Sequence, residues 1–282
     1  MTALYAAPAL SPAAAAFDTI AAAFDERFGA WRSVEAQRRA VRRQLLDAFP
    51  PGAHVLELGG GTGEDAAFLA DHGRRVLLTD ASPRMVEVAR RKLADRRAPA
   101  SARVCAAEGM EALAAERTAA GAPPFDGAFS NFAALNCVPE LAPVARGLAR
   151  MLRPGAPALL VLFGPLPPGE ILVETMRGRP RAAFRRLARG DVDARLGGRS
   201  FTVRYHRPRD VRTAFAPWFR LERMRGIGVF VPPSAAEPWI SGFPRFVRVL
   251  EMMDRAVEAP LARLGDHVLY HLVRTDAPAE AA

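Results

Sequence analysis

Four glycines, Gly59, Gly60, Gly61 and Gly63, fall within five positions, and an acid, Glu57, stands two residues ahead of them. A second acid, Asp80, follows Gly59 by 21 residues. Glycines packed this closely let a chain turn sharply and let a ligand approach main-chain N–H groups. An acid at the tip of the next strand is placed to accept hydrogen bonds from ribose hydroxyls, and it would repel a phosphate. Two familiar glycine loops do not fit. A phosphate-binding P-loop needs Gly-Lys-Ser/Thr, and there is no lysine in this stretch. A dinucleotide fingerprint needs glycine at the sixth position counted from Gly59, which is Glu64. What stands is Glu57-x-Gly59-x-Gly61-x-Gly63, a spacing that asks for a nucleoside without phosphates at the bend.

These residues need a sheet edge to hold them. Residues 13–49 read as helix, with Phe17, Ile20, Phe24 and Phe28 at helical spacing, and Pro50, Pro51 and Gly52 stop it. Strand-like and helix-like runs then alternate: strands at 54–58, 75–79, 102–106, 127–130 and 158–163, with helices at 64–72, 83–95, 109–120 and 139–152 between them. That alternation predicts a parallel sheet covered on both faces, with ligands at the C-terminal ends of its strands. After Pro165 it breaks. An arginine-dense insert over 165–200 is followed by a strand-like "SFTVRYH", a helix at 208–216, a strand "FRLERMRGIGV", a helical stretch at 232–263 and a closing strand "DHVLYHLVRT". The ends, 1–12 and 276–282, read as disordered tails.

Composition narrows the classes. The formal net charge is +9, but Lys92 is the only lysine and the arginines accompany abundant alanine, glycine and proline, so nucleic acid is disfavoured. Cys105 and Cys137 lie far apart in apolar contexts and read as buried thiols, neither a disulfide nor a metal site. No apolar run is long enough to span a membrane, and the N-terminus lacks the form of a signal peptide, so a reducing, cytoplasmic setting is expected.

The segments "VLELGGGTG", "LLTDASPRMVEVAR", "VCAAEGMEAL", "FDGAFSNFAALN" and "LRPGAPALLVLF" resemble, in order and spacing, the successive motifs of class I S-adenosylmethionine-dependent methyltransferases. The likeness covers residues 50–165, with a lesser match at 200–226. It implies an α/β fold with a doubly wound, seven-stranded, mostly parallel sheet whose last strand is antiparallel. A helical cap at 13–49 and a core at 50–275 would carry lid inserts at 165–200 and 228–264. S-adenosylmethionine is the implied cofactor and S-adenosylhomocysteine its product. By position, Gly59, Gly60, Gly61 and Gly63 would frame the methionine part, Glu57 would lie near its amino group, and Asp80 would hold the ribose. Ala81 and Met85 would lie beside the adenine, Glu108 would accept from its amino group, and Gly109 and Met110 would flank the ring. Ser130 and Asn131 would end the fourth strand beside the amino group and methyl. The Asn-Pro-Pro-aromatic signature of enzymes that methylate nucleobase amines or protein amides is missing, which disfavours those acceptors.

The implied function is methylation, at O, N or C, of a small apolar or amphiphilic metabolite. An RNA or protein methyltransferase, or a non-catalytic cofactor-binding partner protein, stays open as an alternative. Transfer from a sulfonium needs mainly alignment, and a base only where the acceptor carries a proton. His206, with Tyr205 beside it, is expected at the ligand edge and is the candidate base. Phe230, Trp239, Phe243 and Phe246 are candidates for an apolar acceptor pocket. Arg185 stands for the arginine-rich insert, which would suit an anionic acceptor or peripheral contact with a membrane surface. Nothing in the sequence speaks to oligomeric state or asks for a metal.

Overall fold

The computed structural model describes residues 10–278; the rest of the two expected tails, 1–9 and 279–282, lies outside the described residues. Ser11 is a helix cap, not tail: its Oγ accepts from Ala14 N at 3.2 Å and starts helix α1, Pro12–Ile20. Helices α2 (Phe24–Gly29) and α3 (Arg32–Ala48) complete an N-terminal cap.

The core then alternates as expected. It runs β1 (His54–Leu58), α4 (Glu64–Asp71), β2 (Arg75–Asp80), α5 (Pro83–Leu93), β3 (Ala100–Val104), α6 (Met110–Ala119), β4 (Gly127–Ser130), α7 (Ala142–Met151) and β5 (Pro157–Phe163). Next come α8 (Pro168–Met176), α9 (Pro180–Ala183), β6 (Asp191–Leu196), β7 (Arg199–Arg204), α10 (Pro208–Phe215), β8 (Phe219–Ile227), α11 (Pro244–Val257) and β9 (His267–Arg274). The main sheet has seven strands in the order β3-β2-β1-β4-β5-β9-β8. Strands β1 to β5 pair in parallel, and β9 runs antiparallel to both of its neighbours. The central strands β1, β4 and β5 are buried on both faces, while the edge strand β3 is largely open. In β1, Leu56 and Leu58 enter one apolar cluster, with Phe125, Phe215 and Tyr270, while Val55 enters the other, with Leu45, Phe49 and Val86.

Two elements differ from the sequence reading. β6 and β7 form a separate hairpin, where only β7 was expected. Its turn is Gly197–Gly198, both at positive φ (+56° and +78°), the conformation that matches the twist of a two-residue hairpin. The expected helical stretch at 232–263 contracts to α11, with short 3₁₀ turns at 234–236, 239–242 and 262–264. The residues around Pro232, Pro233 and Pro238 cannot continue a helix. Among the described residues no helix is long and apolar enough to cross a membrane.

Candidate active site

The glycines form the turn between β1 and α4. Gly59, Gly61 and Gly63 have φ of +63°, +54° and +82°, which side chains other than glycine rarely adopt. Gly60 is restricted by space instead: a Cβ there would stand 2.5 Å from Leu78 and 2.7 Å from the Glu57 carboxyl carbon. Asp80, ending β2, ties this loop to the sheet. Its Oδ2 accepts from Gly61 N at 2.9 Å and its Oδ1 from Ser82 N at 2.8 Å. Burial pushes its carboxyl above the usual range, and the N–H groups of Ser82, Gly61 and Ala81 oppose that shift.

Glu57 is buried in β1, and its Oε2 has no hydrogen-bond partner among the described residues. Its carboxyl is held well above the usual range by burial first, then by the charges of Asp65 and Asp80, against the pull of Arg38 and Arg42. Asp65 is itself engaged, by Arg42 Nε at 2.7 Å and by Asn131 Nδ2 at 2.7 Å. So an orphaned buried acceptor faces a cradle that backbone alone can occupy, and that pairing fits a ligand carrying a cationic group.

The N-terminal cap closes over this edge. Asp18 accepts from Ser82 Oγ at 2.8 Å and from Arg84 N at 2.9 Å. Asp25 accepts from Thr62 Oγ1 at 2.6 Å and from Lys92 Nζ at 2.6 Å, and Lys92 also reaches Glu64 at 2.6 Å. Beneath the cap lies one continuous cavity of about 550 Å³. Glu57, Gly59, Gly60, Gly61, Asp80, Ala81, Met85, Glu108 and Asn131 line it on the glycine-loop side. Phe17, Phe24 and Phe28 line it from the cap, and Phe201 and Leu196 from the hairpin. Gly63, Gly109, Met110 and Ser130 are not on its wall. Met110 is fully buried against Gly147, where an added Cβ would come within 2.5 Å, and Ser130 is buried inside β4. Cys105 and Cys137 are half-buried and line the cavity, which corrects the reading of both as core thiols; burial holds the Cys137 thiol up at about 11.

The far side of the cavity is charged. Arg186, from the insert, is buried and donates to Asp266 Oδ1 at 2.6 Å and to the Asp266 carbonyl at 2.5 Å; it also pairs with Glu170. Arg185 donates to Glu170 at 2.5 Å and is half exposed. Gln37 Nε2 donates to Asp266 Oδ2 at 3.1 Å. All five side chains line the cavity, as does His267, the first residue of β9. The His267 ring stacks on Phe163 with centroids 5.2 Å apart, and meets Phe132 edge-on at 5.9 Å. Burial lowers its pKa from 6.5, with Asp266 opposing and Arg186 assisting, so the ring is neutral at neutral pH. Phe132 and Ala133 hold positive φ (48° and 58°) beside it, a strain found where the backbone is fixed by its surroundings.

His206 is not at this wall. Its Nε2 bonds to the Val138 carbonyl at 2.8 Å, and the turn at 134–138, whose Leu135, Cys137 and Val138 face the cavity, stands in between. His206 and Tyr205 line a separate depression instead. Phe230 and Trp239 also lie off the cavity, at 37% and 68% exposure. The inward face of α11 is spent on Val247 and Leu250, which pack on a small cluster with Ala36 and Ile240. Of the acceptor-side candidates His206, Tyr205, Phe230, Trp239, Phe243, Phe246 and Arg185, Arg185 alone lines the cavity. His267 was missed although its signal was present: an antiparallel last strand begins at the edge where parallel strands end.

Residues 55–155 match the model of a methyltransferase domain. The chain is 29% identical over 212 residues to a malonyl-[acyl-carrier protein] O-methyltransferase of Halorhodospira halophila, covering 69% of this chain and 66% of that protein. It is 31% identical over 151 residues to the biotin biosynthesis bifunctional protein BioHC of Cellvibrio japonicus, covering 52% of this chain and 27% of that protein. The match therefore spans just under two thirds of the first of these relatives and about a quarter of the second. Among solved structures, the CcbJ methyltransferase from Streptomyces caelestis superposes with a TM-score of 0.57 at 16% identity, over 92% of this chain and 98% of that one.

Proposed function

We propose that the chain, whose residues 55–155 match a methyltransferase domain, is a class I, S-adenosylmethionine-dependent methyltransferase, and that it methylates a small amphiphilic acceptor held at the charged far side of its cavity. The observation that carries this reading is that Glu57 and Asp80 share one cavity with Arg185 and His267. Glu57 would pair with the ammonium of the cofactor, Asp80 would hold the ribose hydroxyls, and Glu108 would accept from the adenine amino group, with Ala81 and Met85 along the ring. The cofactor, when bound, supplies a methyl on a sulfonium that is already activated. The protein's part is then to align the acceptor and exclude water, and Phe17, Phe132, Phe163 and Phe201 give apolar walls for that. Neutral His267 is positioned to take a proton from a hydroxyl or amine acceptor.

The name of the first relative supports a second reading, in which the acceptor is a carboxylate of an acyl group. A carboxylate carries no proton at neutral pH and needs no base, while Arg185 suits it. Turnover of methyl-labelled cofactor against alcohol, amine and carboxylic-acid acceptors tests both. Labelling of hydroxyls or amines that is lost in His267→Gln supports the first reading, and labelling of acids that survives it supports the second. No labelling of any acceptor, with cofactor bound, would sink the proposal of catalysis.

A further inference from the structure

Besides burying Val247 and Leu250, helix α11 inverts the usual surface pattern, with acids turned inward and apolar side chains outward. Its acids are all engaged: Asp254 is buried and accepts from Phe230 N at 2.6 Å, Glu251 pairs with Arg39, and Glu258 pairs with Arg225. Its arginines, Arg245, Arg248 and Arg255, are exposed and form no ion pair among the described residues. Between them Phe246, Met252 and Met253 are 52%, 63% and 43% exposed. Just ahead of the helix, Trp239 and Phe243 are also exposed, with rings 5.4 Å apart.

Helix α8 repeats the inversion. Glu170 and Glu174 are buried and paired with Arg185, Arg186 and Arg177, while Leu172 and Met176 are 61% and 79% exposed. Val173 of α8 packs on the same cluster, of Ile240, Val247 and Leu250, that anchors α11, so the two outward faces flank one seam.

A patch of this kind is costly in water and rare on a protein that meets nothing. Aromatic and methionine side chains bounded by unpaired arginines, with the acids of α8 and α11 themselves buried or paired, are the composition that enters a headgroup layer. We propose that the outward faces of α8 and α11 dock on an anionic lipid surface. This moves the expected membrane contact away from the arginines of the insert at large, several of which are consumed in internal pairs. α8 also carries Glu170 at the cavity wall, so docking face and cavity share an element, but the inference stands whichever acceptor is methylated.

The test is cosedimentation of the full chain with vesicles of phosphatidylcholine alone, and with about a third phosphatidylglycerol, read together with the Trp239 emission. The expected result is at least about tenfold tighter binding to the anionic vesicles, weakened by salt, with a blue shift that Trp239→Phe abolishes. The double variant Phe246→Glu, Met253→Glu sits on exposed positions and should lose binding about tenfold or more while its circular dichroism and cofactor affinity match the parent. Equal binding to both vesicles, no binding to either, or a double variant that binds like the parent would overturn the proposal. A parent that binds no vesicle but dimerises through this face, with a monomeric double variant, would overturn it in favour of a second copy as the occupant.

Discussion

Nδ1 of His267 lies 3.4 Å from Oδ2 of Asp266, its neighbour in the chain. The pair begins β9 at the edge where β1, β4 and β5 end, and both residues line the cavity. Burial would raise the carboxylate, but Arg186 beside it holds it below its usual range, so it remains an acceptor that can orient the imidazole.

From this follows the behaviour of a base. His267→Gln should lower turnover of a hydroxyl or amine acceptor by roughly 10²–10⁴ with cofactor affinity unchanged. His206→Gln should stay within a few-fold of the parent. Because burial lowers the His267 pKa below 6.5, the acid limb of the pH–rate profile should fall below that value. The same shift has a stability sign. An unfolded imidazole binds a proton below 6.5 while the buried one resists, so its contribution is intact above 6.5 and is lost as pH falls toward the folded value. Steady-state kinetics and thermal melts across pH read both.

Glu57 predicts proton release on cofactor binding. Its carboxyl is protonated over a range where an ordinary glutamate is not, and an ammonium partner would favour the charged form. Affinity should therefore rise with pH up to the raised pKa and flatten above it. Calorimetry in two buffers of different ionisation enthalpy should show the released proton, and Glu57→Gln should abolish it and cost about 1.5–3 kcal/mol of affinity. A pH-independent affinity in the parent would count against Glu57 as the ammonium partner.

Asp80→Ala removes the acceptor proposed for the ribose and also frees the Gly61 and Ser82 N–H groups it now holds. Cofactor affinity should fall by about 1.5–3 kcal/mol for each hydrogen bond lost from this charged acceptor. Unchanged binding by calorimetry would show that the ribose is held elsewhere.

Lys92 links the cap to the core through Asp25 and Glu64. The three side chains are 17%, 39% and 43% exposed, so screening limits the cost of Lys92→Met to about 1 kcal/mol of global stability. The local effect should be larger than the global one: hydrogen exchange should quicken across α1 and α2, and cofactor affinity should drop as the cap loosens. Exchange rates equal to the parent's in those helices would remove Lys92 as the clasp.

The sequence by itself determined the main sheet and the glycine-loop side of the cavity. Strand-helix alternation from His54 to Phe163 has a period that can bury its apolar residues in one way only, and Glu57, the glycines and Asp80 sit at fixed offsets from strand ends. These are local relations, carried by a few residues each. The hairpin at Asp191–Arg204 was also written locally, in alternating residues around Gly197 and Gly198, under a crowd of arginines. The acceptor side was decided only by tertiary structure. Asp266, next to His267 in the chain, meets Arg186 through a contact 80 residues apart, made when β9 enters the sheet antiparallel beside β5. His206, at the edge its sequence position suggested, was turned away because the Val138 carbonyl captured its ring. Trp239 and Phe246 were left outside because α11 had already spent its inner face on Val247 and Leu250. Spacing fixes which residues lie on one strand end or helix face, whereas the choice among distant partners is made by packing, which no local pattern encodes.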